Sequence, residues 1–459
     1  MKKRGLKIIS RIAVITAVLT SVLLHTTAQA AGVLYDLPSN MKISAKSAIL
    51  VSLGATPEED TVLYEKQPDS KRSPAALVRM MVGVTAIEII RDKGIDIDKV
   101  TGKYSSEAFN IIAGTGLTTV QMQFGEEWTI RDLLSISMIQ TAADACVTLA
   151  ITLSGSHSQF VAEMNKLAKK IGCENTSFAN VTGIDSLNQY TTVRDLYKIM
   201  RYAMDYPEYE LLFAAIQHTC NPVSGGTKRT YATTNDMLRS TTSYYYSPMA
   251  FGKTGYTTPA GRCLASVARD SGYEYLCIVM GEPDTDEQGN RGVYFRDTRA
   301  LYQWAFNNFI YEKLLDKYET VTQIKVNLAW DRDSVPLRPK NDVAAIVIKG
   351  LDKSTIEYDI NLTADSVDAP ITKGQVLGKV MLKTNVDQVI GEVDLIASES
   401  VERSQLLAVW TNVQTFLSSP WFFIGLALLA LLLIGYFILG LVHNRKRRRR
   451  RYKSLKRYR

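Results

Sequence analysis

Arg72-Ser73-Pro74-Ala75-Ala76-Leu77-Val78-Arg79-Met80-Met81 is the stretch around which the rest of the chain is read. It follows a strand-like run, Thr61-Val62-Leu63-Tyr64-Glu65-Lys66, and enters an apolar segment reaching to about Ile90. Pro74 suits the first helical turn, where its missing N–H costs nothing. Leu77, Met80, Met81, Val84, Ile87 and Ile90 cover most of the circumference of such a helix. The pattern therefore predicts a buried helix, not one with a single apolar stripe. Residues three apart share a helix face, so Ala76 and Arg79 are neighbours at its head.

Further landmarks follow in order. Met164-Asn165-Lys166-Leu167-Ala168 precedes Gly172, Asn175-Thr176-Ser177-Phe178, Asn180, Gly183 and Tyr190-Thr191-Thr192-Val193-Arg194-Asp195. Phe251-Gly252-Lys253-Thr254-Gly255-Tyr256-Thr257 is followed by Ala260-Gly261-Arg262-Cys263-Leu264. A Lys-Thr-Gly tripeptide alone means little. Together with Leu63–Lys66 and Ser73–Leu77, these segments resemble the low-molecular-weight penicillin-binding proteins of the D-alanyl-D-alanine carboxypeptidase type (serine peptidase family S11). The resemblance spans residues from about 60 to 265.

It implies a penicillin-binding/β-lactamase-like α+β domain with an antiparallel sheet, then a small all-β domain. It also implies a Ser-x-x-Lys nucleophile and base at the head of the buried helix. Ala76 and Arg79 stand at those two places. Alanine offers no nucleophile, and an arginine with its pKa above about 12 is a poor base. The family's Ser-x-Asn motif falls on Thr141-Ala142-Ala143, so Thr141 keeps a hydroxyl and Ala143 has lost the amide. The third motif, Lys253-Thr254-Gly255, is intact and Tyr256 follows it. By resemblance, Lys253 and Thr254 meet a substrate carboxylate and the Tyr256 N–H is an oxyanion donor. Two readings of that motif stand: retained ligand binding, or a tripeptide that merely closes an edge strand. Arg79 adds a fixed positive charge able to pair with a carboxylate.

Substitute nucleophiles are poorly placed in the sequence. Ser73 has no base at the matching spacing, and Ser39-x-x-Lys42 has no apolar helix behind it. Thr141 lacks a base unless Lys253 serves. The expected function is a catalytically degenerate carboxypeptidase relative that binds peptidoglycan stem peptide or other cell-wall enzymes. The alternative is an active carboxypeptidase that trims stem peptides. No cofactor and no metal are expected.

The two ends carry the positive charge. Net charge is +8, but Lys2, Lys3, Arg4, Lys7 and Arg11 and the eleven Lys/Arg from Arg445 onward lie at the termini, without an acidic residue among them. Without those sixteen, 38 basic residues face 46 acidic ones, a net −8. A basic nucleic-acid surface is thereby excluded. Residues 1–31 read as a signal peptide, with the apolar run Ile12–Leu24 and a cleavage site at Ala28-Gln29-Ala30; the other reading is an uncleaved anchor. Five cysteines, at 146, 173, 220, 263 and 277, show no metal-ligand spacing. Cys146, Cys263 and Cys277 lie in apolar runs and read as small buried hydrophobes. His157 and His218 lack sequence partners that would suggest a Ser-His-Asp or zinc site.

Residues 32–315 are assigned to the carboxypeptidase-like domain. Helices are expected over Ile130–Leu153, Gln159–Lys170 and Thr298–Leu314, and strands over Ala48–Val51, Ala250–Lys253, Cys263–Arg269 and Glu274–Met280. Residues 319–395 become β-rich, with strands at Val321–Trp330, Val343–Lys349, Ile356–Leu362 and Val376–Lys383. An amphipathic linker occupies 396–419, where Leu406, Val409, Trp410, Val413 and Leu417 make either a membrane-facing or a packing stripe. Residues 420–442 are the expected transmembrane helix, since Trp421–Val442 holds 22 residues without a charge. The basic segment 443–459 then lies in the cytoplasm and the domains outside.

Overall fold

The computed structural model describes residues 35–384 and 389–455, with side chains as far as Lys446. The expected signal peptide, 1–31, lies outside the described residues, as do the last four residues of the basic tail.

The chain divides into two units. The first is built on a five-stranded antiparallel sheet. Its strands are β1 (Ser47–Ser52), β2 (Thr61–Lys66), β7 (Met249–Thr257), β8 (Gly261–Asp270) and β9 (Tyr273–Glu282), in the spatial order β2-β1-β9-β8-β7. Alternation along the strands explains the layering. Ile49 and Val51 of β1, with Leu276, Ile278 and Met280 of β9, join the core on one face. Ala48 and Leu50, with Tyr275, Cys277 and Val279, join the core on the other. Each fully buried Leu or Ile contributes about 1.5–3 kcal/mol by leaving water.

The larger core holds the quoted stretch. A 3₁₀ turn, Ala75–Leu77, leads into α1 (Val78–Lys93). Every residue from Val78 to Ile87 is buried, as the all-round apolar pattern requires. Gly94 ends the helix in the left-handed conformation. Pro74 precedes the turn with αR dihedrals. Around α1 lie β3 (Thr101–Lys103), α2 (Ser106–Ile112), β4 (Glu127–Thr129), α3 (Ile130–Ile139), α4 (Ala143–Ser154), α5 (His157–Ile171), α6 (Val193–Ala203) and α7 (Pro207–Ala214). Helices α2, α3, α5 and α6 are N-capped by Ser105, Thr129, Ser156 and Thr192, whose hydroxyls accept from backbone N–H groups. The hairpin β5 (Gln217–Cys220) and β6 (Arg229–Ala232) follows α7. On the opposite sheet face lies α8 (Val293–Asn308), burying Phe295, Leu301, Tyr302 and Ala305.

Two sequence expectations need correction here. The helix expected over Ile130–Leu153 is two helices, broken at Gln140–Ala142, where Thr141 has φ 65°. The apolar pattern runs straight through the break, so periodicity does not reveal it. The helix expected to reach Leu314 stops at Asn308, and Phe309–Leu315 is extended (β10).

The second unit carries a six-stranded sheet of β11 (Thr322–Asn327), β12 (Ser334–Pro339), β14 (Glu357–Leu362), β15 (Ser366–Asp368), β16 (Val376–Lys383) and β17 (Val389–Ala397); β13 (Val343–Ile348) is not in this sheet but pairs with β10. Strand order is β14-β16-β17-β12-β11-β15, and β11 and β15 run parallel. Ile324, Val326, Val335, Leu337, Val380, Leu382 and Leu395 are buried in this unit. Helix α9 (Gln405–Ser418) buries no residue, and α10 (Pro420–Leu455) follows. Within α10, Pro420–Lys446 is 27 residues long. At 1.5 Å per residue it reaches about 40 Å, enough to cross a bilayer.

Candidate active site

The site forms where the head of α1, the α3–α4 break and strand β7 meet. Ala76 is 9% exposed. Gly255 of β7 lies so near it that a Cβ there would stand 3.1 Å from Ala76 N and 3.2 Å from Leu77 N. The glycine lets the strand backbone run against the head of the helix. Gly183 does the same from another side. Its φ is +83°, and a Cβ there would fall inside the van der Waals envelope of Ala75 O and 3.0 Å from Ala76 N. Gly183→Ala is therefore expected to destabilise the fold by about 2–4 kcal/mol, read as a lowered urea midpoint. An unchanged midpoint would show that the loop is free to move away.

Arg79 is wholly buried. Its Nη1 donates to Val181 O, and its Nη2 reaches Thr141 O at 3.5 Å. Nε has no partner among the described residues. Burial lowers the pKa of the guanidinium, while Cys146 and Asp144 oppose the shift. The charge faces backbone carbonyls, and no carboxylate lies in ion-pair range of it among the described residues. The guanidinium that the sequence offered as a carboxylate partner for a ligand is thus already committed inside the protein.

Thr141, in its left-handed conformation, presents Oγ1 to Lys253, whose Nζ donates to it at 2.5 Å. Lys253 Nζ also reaches Thr234 Oγ1 at 3.5 Å, and that hydroxyl shares a 2.7 Å hydrogen bond with Thr254 Oγ1. Lys253 is 1% exposed. Burial, reinforced by the nearby Arg79 charge, pulls its pKa down to about 7. Two cations packed this closely in a dry site repel, and the lysine yields because its proton is removable.

Ala143 begins α4, and its N–H donates to Thr118 O at 2.8 Å. The next residue, Asp144, is buried and accepts from the N–H groups of Val120 and Met122 at 3.1 Å. Tyr256 is 45% exposed, with Arg262 stacked on its ring at 4.0 Å. Ser73 does not point into the site as a spare nucleophile, because its hydroxyl is bonded to Asp185, which also accepts from Thr257 Oγ1 at 3.0 Å.

Ala76, Arg79, Thr141, Lys253, Thr254 and Gly255 are thus brought to one place. Reasoning from the sequence missed Thr234, Val181 and Asp185. Thr234 is two residues beyond β6 and carries no motif, and Val181 contributes only a backbone oxygen. The chemistry available is a hydroxyl–amine pair, Thr141–Lys253, beside an alanine and a sequestered guanidinium.

Comparison with known proteins gives the family and the fold. Residues 26–284 match the family Peptidase S11, D-alanyl-D-alanine carboxypeptidase. Residues 309–403 match the penicillin-binding protein 5 C-terminal domain. The D-alanyl-D-alanine carboxypeptidase DacF of Bacillus subtilis is 28% identical over 368 residues, covering 80% of this chain and 88% of that one. DacC of Escherichia coli is 28% identical over 362 residues, covering 77% and 84%. Among solved structures, penicillin-binding protein 5 of Haemophilus influenzae superposes with a TM-score of 0.60 at 24% identity, over 80% of this chain and all of that one. DacD of Francisella tularensis gives 0.63 at 19%, over 83% and 99%. The fold is theirs: a penicillin-binding/β-lactamase-like α+β domain followed by a β-rich domain. With more than half its length matched by the family, this chain belongs to the S11 D-alanyl-D-alanine carboxypeptidases.

Proposed function

We propose that this chain is a membrane-anchored, catalytically degenerate S11 protein that binds stem peptide, or another cell-wall enzyme, without cutting it. One observation carries the reading: where the family needs a nucleophilic hydroxyl and a primary amine, the turn leading into α1 holds Ala76 and the first turn of α1 a buried Arg79. Lys253 and Thr254 remain as the carboxylate-facing wall, with Thr141 and Thr234 holding them. The anchor is the apolar part of α10, with the basic end in the cytoplasm and both domains outside, as the excess of Lys/Arg on one flank supports.

The test is calorimetric titration of the detergent-solubilised full chain with a stem peptide ending in D-alanyl-D-alanine. Lys253 gains its positive charge as pH falls through about 7, while the peptide carboxylate stays ionised down to about pH 4. Affinity should therefore tighten between pH 8 and pH 6, by up to about tenfold. Lys253→Met should abolish that dependence. Affinity flat with pH in the unaltered chain would favour the edge-strand role of the motif, and no binding at all would favour a spacer.

A second reading has its own support. The 2.5 Å contact of a lowered-pKa amine with the Thr141 hydroxyl has the form of a base beside a nucleophile. It predicts slow acylation that is lost in Thr141→Ala.

A further inference from the structure

The hairpin after α7 brings together three side chains that the family site does not use. His218 and Cys220 are two apart on β5, so they point to the same face of the strand. Asp132, in the first turn of α3, meets them there: its Oδ1 lies 2.7 Å from His218 Nε2. One ligand atom from each of Asp132, His218 and Cys220 falls within 4.8 Å of the others. The sequence hides this cluster, because the aspartate is 86 positions before the histidine.

The donor set is informative. An imidazole nitrogen, a sulfur and a carboxylate oxygen suit zinc, whereas calcium and magnesium take oxygen donors. Tetrahedral zinc places its ligand atoms about 3.4 Å apart. The three ligand atoms lie within 4.8 Å of one another, so on binding the His218–Asp132 pair, at 2.7 Å, opens by less than about 1 Å and Cys220 Sγ needs to close by about 1.4 Å at most. Cys220 is fully buried, whereas the side chains of His218 and Asp132 keep 22% and 12% of their surface in solvent, which leaves an entry path. Arg229, directly across the strand pair from Cys220, does not compensate the cluster's charge. Its guanidinium is held by Glu126 and lies over the Trp128 ring at 5.0 Å.

We infer that Asp132, His218 and Cys220 form a zinc site with three protein ligands and one open position. Binding releases the thiol proton of Cys220 to solvent as the Zn–S bond forms. The bound ion ties the β5–β6 hairpin to α3. Those two elements lead directly to Thr234 and Thr141, the hydroxyls around Lys253, so the site lies in the support of the candidate active site without being part of it.

The test uses the metal-stripped full chain in detergent. Zinc titrated by calorimetry should bind at one ion per chain. Cobalt should give the near-ultraviolet charge-transfer band of a thiolate ligand. Cys220→Ser should lose that band, and Asp132→Asn, which keeps a hydrogen-bonding partner for His218, should weaken zinc. His218→Ala should weaken it by more than about 100-fold, since changes even outside the ligand shell cost about 10–100-fold. Circular dichroism would confirm that each variant is folded. No metal uptake by the unaltered chain, or a cobalt band that survives in folded Cys220→Ser, overturns the site.

Discussion

Ala76→Ser combined with Arg79→Lys and Ala143→Asn is expected to give a chain that labels with penicillin far faster than the parent. The rate should rise by at least about 10³-fold, because nucleophile and base act as a unit and single losses are nearly as severe as combined ones. For the same reason Ala76→Ser alone should recover little, since the residue beside the new hydroxyl would still be an arginine that stays protonated. The surrounding parts favour recovery. Ala76 N already lies against Gly255, and Lys253 already holds the Thr141 hydroxyl. Arg79→Lys also withdraws the guanidinium from Val181 O and leaves that buried carbonyl to be satisfied otherwise, so some stability is lost with the gain in chemistry. A folded triple variant that stays inert would mean that the cleft, and not only its reactive groups, has diverged.

Glu282→Gln is expected to stabilise the chain at alkaline pH. Glu282, at the end of β9, is 1% exposed. Burial pushes its pKa up to about 9, and Asp297 on α8 adds to the shift by charge and by hydrogen bonding. Lys66 and the Ala45 backbone oppose it. Asp297 is itself raised, chiefly by burial, although it accepts from Ser44 N at 2.5 Å. Two carboxylates ionised side by side in a buried site would repel each other. One proton shared between the carboxyls resolves the conflict. The unfolded chain ionises Glu282 near pH 4.5. Between about pH 4.5 and 9 the folded state therefore binds more protons than the unfolded one, and stability falls as pH rises. Glutamine keeps the shape without the titration. The urea midpoint of Glu282→Gln should exceed the parent's at pH 8 by an amount worth on the order of 2–4 kcal/mol, and the gap should close near pH 4. A gap independent of pH would show that the carboxyl is not held protonated.

Linear motifs with a required backbone were the legible part of this protein. At Gly255 of β7 only a glycine tolerates the approach of the Ala75–Leu77 turn, and that need shows in the residue itself. The buried helix was legible because its apolar residues run all round. The α3–α4 break was not, because its cause is the φ of Thr141, which a β-branched residue does not advertise. Strand β12 was hidden by Pro336 and Pro339. Both are nonetheless accommodated between β11 and β17, opposite Gln323 and Leu395. Arg79 could be read as the loss of a base. That its charge would end on Val181 O, 102 positions away, and add to the burial that lowers the Lys253 pKa could not. Contacts to backbone acceptors leave no trace in residue type.

The inert reading and the Thr141 reading part on one measurement. The full chain, solubilised in mild detergent at pH 8 where Lys253 is largely unprotonated, is incubated with fluorescent penicillin and separated under denaturing conditions. Absence of a covalent band is the expected result. A band that appears in this chain and vanishes in folded Thr141→Ala would contradict it and make the Thr141–Lys253 pair the reacting one.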